Sequence, residues 1–91
     1  MKKFSFTNWK ESIWEESGQV ATSMYGERTT KRGRESLLIR VTLNATDSSF
    51  VIFRHYLYDV QIDYVMREYT DTMKLVQGIK EYIDAKEKQK E

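Results

Sequence analysis

Hydrophobic and polar side chains alternate with a period of two through the middle of the chain. The pattern is strictest over residues 36–43 and continues over 50–57. Successive side chains of a β-strand point to opposite faces, so this period predicts two strands that each bury one face. The side chains expected to face the core are Leu37, Ile39, Val41 and Leu43 on the first strand and Val51, Phe53, His55 and Leu57 on the second.

Residues 60–69 are also rich in residues that favour β-strands, although a helix fits this segment as well. Val60, Ile62, Tyr64 and Met66 recur at every second position, and that alternation favours a strand. If these four side chains face the core, the residues between them face away from it.

Three further segments complete the sheet. Residues 19–30 are rich in Thr, Val, Tyr and Ser, which suits a strand. Residues 31–34 and 44–49 contain the Gly, Asn, Asp and Ser typical of turns. We therefore expect four consecutive antiparallel strands with short connections.

Two helices are expected to flank the strands. Asn8 and Glu11 have the spacing of a capping box, which predicts a short helix over residues 8–17. Thr70 or Asp71 is placed to cap a second helix, in which apolar residues recur at spacings of three and four. Its expected buried side consists of Met73, Leu75, Val76, Ile79, Tyr82 and Ile83.

Two features of the second helix qualify that prediction. Gly78 costs roughly 1 kcal/mol relative to alanine unless a close approach to the sheet requires it. The charged residues 86–91 are expected to form a frayed tail.

The order of elements is therefore α-β-β-β-β-α. This order predicts a single α+β domain over residues 1–91, in which a four-stranded antiparallel meander carries both helices on one face. The chain has no cysteine, so the domain must rely on its apolar core or on a second copy of itself, as in a homodimer.

Composition argues against most enzymatic chemistry. Without cysteine and with one histidine, the chain can form no disulfide and no zinc site built from cysteines or several histidines. No nucleophile accompanies His55, and in a strand Asp59 would lie more than about 10 Å away. We therefore expect neither catalysis nor a cofactor. The chain also lacks a secretory signal and an apolar run long enough for a membrane span, so we expect a cytoplasmic protein.

The first candidate site is a basic hairpin. Its four cations could hold phosphates or an acidic protein surface, because arginine presents a planar fork to anionic oxygens. The alternative is a solvated turn balanced by Glu27 and Glu35. The four residues are Arg28, Lys31, Arg32 and Arg34.

The second candidate is the face of the sheet that points away from the core. Arginine and tyrosine carry much of the binding energy at protein interfaces and also stack on single-stranded nucleic acid. Alternatively, the arginines pair with Asp63 or Glu68 within the sheet, and a register slip of one residue would turn the set over. The residues expected on this face are Arg40, Arg54, Tyr56, Arg67 and Tyr69, beside Phe50, Ile52 and Val65.

These features predict a non-enzymatic module that binds another protein. The alternative is a nucleic-acid-binding protein that uses the same residues. The net charge of +1 counts against nucleic acid, because phosphate contacts normally require a basic excess.

In general composition the chain is similar to the small accessory proteins of phages and mobile elements from AT-rich bacteria. It is under 100 residues long, rich in Lys, Glu and Tyr, and free of Cys. That class includes anti-CRISPR proteins, which occupy sites on a larger effector. The resemblance implies an inhibitor of a host effector that handles nucleic acid, and it assigns no individual residue.

Overall fold

The computed structural model describes residues 2–8, 12–14, 19–44 and 48–89. Within these ranges the chain forms six antiparallel strands followed by one helix. The strands are β1 (Ser5–Asn8), β2 (Ser12–Trp14), β3 (Gln19–Thr30), β4 (Gly33–Asn44), β5 (Ser49–Leu57) and β6 (Val60–Tyr69), and the helix is α1 (Thr72–Glu87). None of the described helical structure is both long and apolar enough to cross a membrane.

The sheet is five strand positions wide. β3, β4, β5 and β6 follow one another as a meander, and β1 and β2 share the edge beside β3. The α+β class is confirmed, but the predicted four-stranded sheet is wrong, because β1 and β2 add a further position beside β3. The six strands occupy five positions, because β1 and β2 pair with different parts of the same strand, β3.

The predicted N-terminal helix is wrong over the residues that can be compared. Ser5–Asn8 and Ser12–Trp14 are strands that pair with β3, while residues 9–11 and 15–17 of the predicted helix lie outside the described residues. A capping box is a local signal worth about 1 kcal/mol. Pairing with an adjacent strand over several residues outweighs it.

Two tight turns join the long strands at one end of the sheet. Gly33 follows the turn between β3 and β4 with φ of 119°, a conformation that favours glycine. Tyr58 and Asp59 connect β5 to β6 with φ of 51° and 63°. Positive φ at both central residues is what a type I′ hairpin turn requires.

The core lies between the sheet and α1, and we call the sheet face beneath the helix the inner face. On β4 and β5 most residues predicted to be buried are confirmed, with Leu37, Ile39, Val51 and Phe53 fully shielded, although Leu43 is 41% exposed. The prediction is wrong on β6, where the four residues expected in the core, Val60, Ile62, Tyr64 and Met66, are exposed. Tyr82 of α1 stacks on Phe53 with ring centroids 4.1 Å apart. This stacking fixes the helix over β5 and β6.

The buried side of α1 is rotated relative to the prediction. Leu75 and Tyr82 are buried, with Ile79 and Ile83 packed beside them, whereas Met73 is 82% exposed. Val76 is also exposed, so the prediction is confirmed for Leu75, Ile79, Tyr82 and Ile83 and wrong for Met73 and Val76. The helix begins at the predicted cap, because the Asp71 carboxylate accepts a hydrogen bond from the Met73 backbone N–H at 2.8 Å.

Gly78 permits close contact between α1 and β6. A Cβ atom at this position would collide with the hydroxyl of Tyr69, and it would lie 2.8 Å from the Cζ atom of that ring. Glycine fits this position despite its low helix propensity, because the Tyr69 ring occupies the space that a larger side chain would need.

A one-residue irregularity in β6 determines which side chains face the helix. Tyr56 pairs with Gln61 and His55 pairs with Asp63, so Ile62 is left without a partner on β5. An extra residue in one strand reverses the facing of every residue that follows it. Beyond Ile62 the inner face therefore receives Asp63, Val65, Arg67 and Tyr69.

Candidate binding face of the sheet

We call the face of the sheet opposite α1 the outer face. No helix covers it among the described residues, and its side chains form rows across the strands because opposite residues pair in register. One row contains Tyr25, Leu38, Arg54 and Tyr64; the next contains Ser23, Arg40, Ile52 and Met66.

Arg54 lies on the outer face of β5, one strand in from the β6 edge of the sheet. Its guanidinium carbon is 5.5 Å from the ring centroid of Tyr64 on β6, which is a cation–π contact. No described carboxylate forms an ion pair with Arg54, and its buried Nε atom has no hydrogen-bond partner. The charge is therefore held in place by an aromatic ring and remains available to an external anion.

Apolar surface surrounds this arginine. Tyr64 is 48% exposed and Met66 is 59% exposed, and the half-buried Ile52 lies between Arg40 and Met66. Tyr56 occupies the neighbouring row. A mixture of arginine, tyrosine and methionine is typical of the centre of protein–protein interfaces.

An open depression of about 290 Å³ lies beside this cluster. Tyr25, Ser36, Leu38, Tyr56 and Asp59 line it. The Tyr25 hydroxyl donates a hydrogen bond of 2.6 Å to Glu27, and this bond raises the pKa of the tyrosine above its ordinary value. The hydrogen bond to Glu27 holds the Tyr25 ring at the rim of the depression.

The basic hairpin is only partly a free cationic surface. Lys31 and Arg32 are exposed at the turn, with an Arg32 nitrogen 4.0 Å from Glu35. Arg34 lies at the edge of the outer face and forms an exposed ion pair with Asp59 of the next turn. We refer to Lys31, Arg32 and Arg34 as the basic tip.

Arg28 does not belong to that surface. It is 3% exposed, and its guanidinium donates hydrogen bonds to the backbone carbonyls of Lys2, Lys86 and Glu87 at 2.8 to 3.0 Å. A cation at a helix C-terminus satisfies carbonyls that have no partner within the helix. Lys86 and Glu87 are the last residues of α1, and Glu87 is buried.

Arg67 and Tyr69 lie on the inner face, opposite to their predicted position. The Arg67 guanidinium carbon is 5.9 Å from the ring centroid of Phe53, and Tyr69 packs against the core. The extra residue at Ile62 causes this reversal. Of the predicted face, Arg40, Arg54 and Tyr56 remain together on the outer side.

The same reversal brings two unpredicted residues to the outer face. Tyr64 and Met66 were predicted to face the core, yet both are exposed. The sequence favoured the wrong facing, because the other parity of β6 contains the charged residues Asp63 and Arg67. No rule of alternation identifies the position of a bulge from those residues alone.

Two groups of titratable residues form networks on the inner-face side of the sheet, one buried and one partly exposed. Glu35 is fully buried, with His55 Nε2 at 2.9 Å and Arg28 Nη2 at 3.4 Å from its carboxylate. Asp63 accepts hydrogen bonds from Lys86 at 3.0 Å and Tyr82 at 3.1 Å. The bond from Lys86 lowers the pKa of Asp63, and burial raises the pKa of Tyr82.

Neither group has the composition of a metal centre. Across the described ranges, no three His, Cys, Asp or Glu side chains converge closely enough to hold a metal ion. The Glu35 carboxylate is instead paired with Arg28 and hydrogen-bonded to His55, and the partly exposed Asp63 carboxylate is paired with Lys86. Comparison with protein-family models, with curated proteins and with solved structures gives no significant match for this chain.

Proposed function

We propose that this protein is a non-enzymatic binding module that docks on another protein through the outer face of its sheet. The observation that carries the proposal is the position of Arg54. It lies on the uncovered outer face of β5, against the ring of Tyr64, with no described carboxylate paired to it. Arginine and tyrosine in such a setting are the residues that most often dominate binding energy.

The chemistry of the face defines the partner. Arg54 would bind a carboxylate, and the rigid rings of Tyr56 and Tyr64 would pack against an apolar surface around that carboxylate. We therefore propose a protein surface that presents an Asp or Glu within an apolar patch. Docking would pair the two charges away from water, where a bidentate arginine contact gains strength.

The compositional resemblance to phage and mobile-element accessory proteins supports a more specific partner. We propose a larger host effector that handles nucleic acid, whose site this small domain would occupy as an anti-CRISPR-like inhibitor. A stoichiometric complex with a nuclease effector would support this identity. Failure to bind any such effector would remove it and leave the general docking proposal in place.

Nucleic acid is the second candidate, and one observation favours it. Tyr58 is 63% exposed, its ring lies against Gly33, and its backbone N–H donates a hydrogen bond of 3.0 Å to the Arg34 carbonyl, so an exposed aromatic ring lies beside the basic tip. Rings beside cations form stacking sites for unpaired bases. Such binding would weaken steeply with salt, whereas docking through Arg54 and the surrounding apolar surface would depend on salt much less.

The test is an affinity capture of the tagged protein from its native host lysate, with and without nuclease treatment. We expect a stoichiometric protein that remains bound after nuclease treatment. With the purified partner, titration measures the binding affinity of the Arg54→Ala and Tyr64→Ala variants. We expect each substitution to weaken binding by about 10- to 100-fold. Loss of recovery on nuclease treatment would favour the nucleic-acid candidate.

The matched controls lie on the exposed side of α1. Met73→Ala removes an apolar side chain that is 82% exposed, and Lys74→Ala removes an exposed cation. We expect both variants to bind like the unaltered chain. If they weaken binding as much as Arg54→Ala does, the outer face is not the docking surface.

A further inference from the structure

We propose that β6 is a self-association edge, through which two copies of the chain pair antiparallel to form one continuous sheet. The proposal concerns the edge of the sheet and does not rest on the docking role of the outer face. Its occupant is a second copy of this chain, and the reasons lie in the exposure and the sequence of β6.

The outward edge of β6 is open. β6 is the last strand of the sheet, and no other described strand pairs with it beyond β5. Backbone N–H and C=O groups along such an edge lack strand partners and can pair with another chain. The opposite edge differs, because it is divided between β1 and β2, which are four and three residues long. Short edge strands are a common protection against pairing, and the ten residues of β6 lack it.

Large apolar side chains accompany the open backbone. Val60, Ile62, Tyr64 and Met66 are between 46% and 63% exposed, and all four belong to β6. An exposed, apolar and long edge strand is the type that natural proteins otherwise shield. A second copy would cover both the backbone groups and these side chains.

The sequence of β6 is complementary to itself in one register. If Val65 of each copy lies opposite Val65 of the other, Asp63 lies opposite Arg67 and Tyr64 lies opposite Met66. Two-fold symmetry makes each of these pairs twice. Opposite charges and aromatic–apolar pairs directly across two strands are both stabilising.

Neighbouring registers lose this complementarity. A register centred on Tyr64 places Asp63 opposite Val65, and one centred on Arg67 places two arginines against each other. The register centred on Val65 also uses the regular part of the strand, because the irregularity at Ile62 lies outside Asp63–Tyr69. We therefore assign the two-fold axis to Val65.

This pairing would keep the two helices on the same side. A two-fold axis perpendicular to the sheet places both inner faces on the same side of the joined sheet. Asp63 and Arg67 of the two copies then lie on that side, between the two helices. The outer faces then join into one surface of twice the width. The dimer would present two copies of Arg54 in a single plane.

The first test measures self-association by sedimentation equilibrium. We expect a concentration-dependent dimer, and we expect Arg67→Asp to raise its dissociation constant at least ~10-fold, because two attractive pairs become repulsive. Arg67→Lys keeps the charge and should keep the dimer. Lys74→Asp makes the same change of charge on the exposed side of α1 and should have no effect. Circular dichroism verifies that each variant is folded.

The second test identifies the register through cross-linking. The chain contains no cysteine, so a single introduced thiol reports one position. Opposite residues of an antiparallel pair have Cα atoms about 4.5–5.5 Å apart, within the range of a disulfide, whereas diagonal residues are about 7–8 Å apart. With oxidised glutathione as the oxidant, Val65→Cys should give a covalent dimer faster than Tyr64→Cys.

Each contrary result overturns the proposal. A chain that remains monomeric up to millimolar concentration has no self-association edge, even if it binds a partner through the outer face. Equal weakening by Arg67→Asp and Lys74→Asp would exclude the predicted charge pairs. Faster cross-linking of Tyr64→Cys than of Val65→Cys would exclude the register.

Discussion

His55 Nε2 lies 2.9 Å from Glu35 Oε2, and the two side chains are sealed from solvent. The same carboxylate is 3.4 Å from the guanidinium of Arg28, which in turn binds the last carbonyls of α1. One buried carboxylate thus connects β3, β4 and β5 to the end of the helix. The stability of the fold should depend on the charge states of these groups.

Stability is expected to fall as pH drops below about 6.5. Burial lowers the pKa of His55 below its ordinary value, against the opposing effect of its bond to Glu35. The unfolded chain therefore binds a proton before the folded chain does, and acid favours unfolding. Urea unfolding at pH 8, 6 and 5 measures the loss. His55→Gln should remove this dependence above about pH 5, and a flat profile for the unaltered chain would contradict it.

A second loss is expected in more acidic solution. Burial alone would raise the pKa of Glu35, but the hydrogen bond from His55 and the charge of Arg28 together hold it below 4.5. A carboxyl whose folded pKa is depressed contributes stability above its unfolded pKa and loses it as pH falls through the folded value. Glu35→Gln should therefore flatten the unfolding profile below about pH 4.5. An unchanged slope would show that other carboxyls control acid unfolding.

Removal of one partner of the Arg28–Glu35 pair should be costly. Glu35→Gln leaves the charge of Arg28 buried without its counter-ion, which costs about 3–5 kcal/mol of unfolding free energy. Arg28→Met should cost a similar amount, and the double variant should cost less than the sum of the two. Denaturant titration of all four proteins gives the coupling. Arg34→Met is the control, since its exposed pair with Asp59 should contribute under about 1 kcal/mol.

Gly78→Ala should destabilise the protein although alanine is the better helix former. The propensity gain of about 1 kcal/mol is smaller than the cost of moving the Tyr69 ring, about 1–3 kcal/mol. Tyr69→Phe removes the hydroxyl that a Cβ would meet, so Gly78→Ala should be less harmful in that background. Thermal unfolding of the four proteins measures the effect. A stabilised Gly78→Ala variant would show that the helix and β6 are not in tight contact.

Gly33→Ala should cost about 1–3 kcal/mol for two separable reasons. Its φ of 119° is unfavourable for any residue with a Cβ, and that Cβ would meet the ring of Tyr58. In a Tyr58→Ala background only the backbone penalty remains, so the cost should fall without disappearing. An equal cost in both backgrounds would exclude the steric contribution.

Alternation was sufficient to predict the central strands because both contribute one face to the core without interruption. It failed at β6, where a single extra residue at Ile62 moved Arg67 and Tyr69 to the inner face. The capping-box signal at Asn8 failed as well, because Asn8 pairs with β3 as part of a strand. Arg28 was counted with the exposed basic residues because its acceptors, the carbonyls of Lys86 and Glu87, lie almost sixty residues away in the sequence.

The contacts made at the end of α1 also bear on how the molecule folds and unfolds. The backbone N–H of Phe4 binds the carboxylate of Glu87, which is 83 positions away, whereas the hairpins from β3 to β6 join near neighbours. Contacts that close long loops form late, so we expect this corner to be unformed in the folding transition state. Weakening it at Arg28 should then accelerate unfolding and leave the folding rate nearly unchanged. The lifetime of the folded molecule, more than the speed of its formation, is determined where its two most distant segments meet.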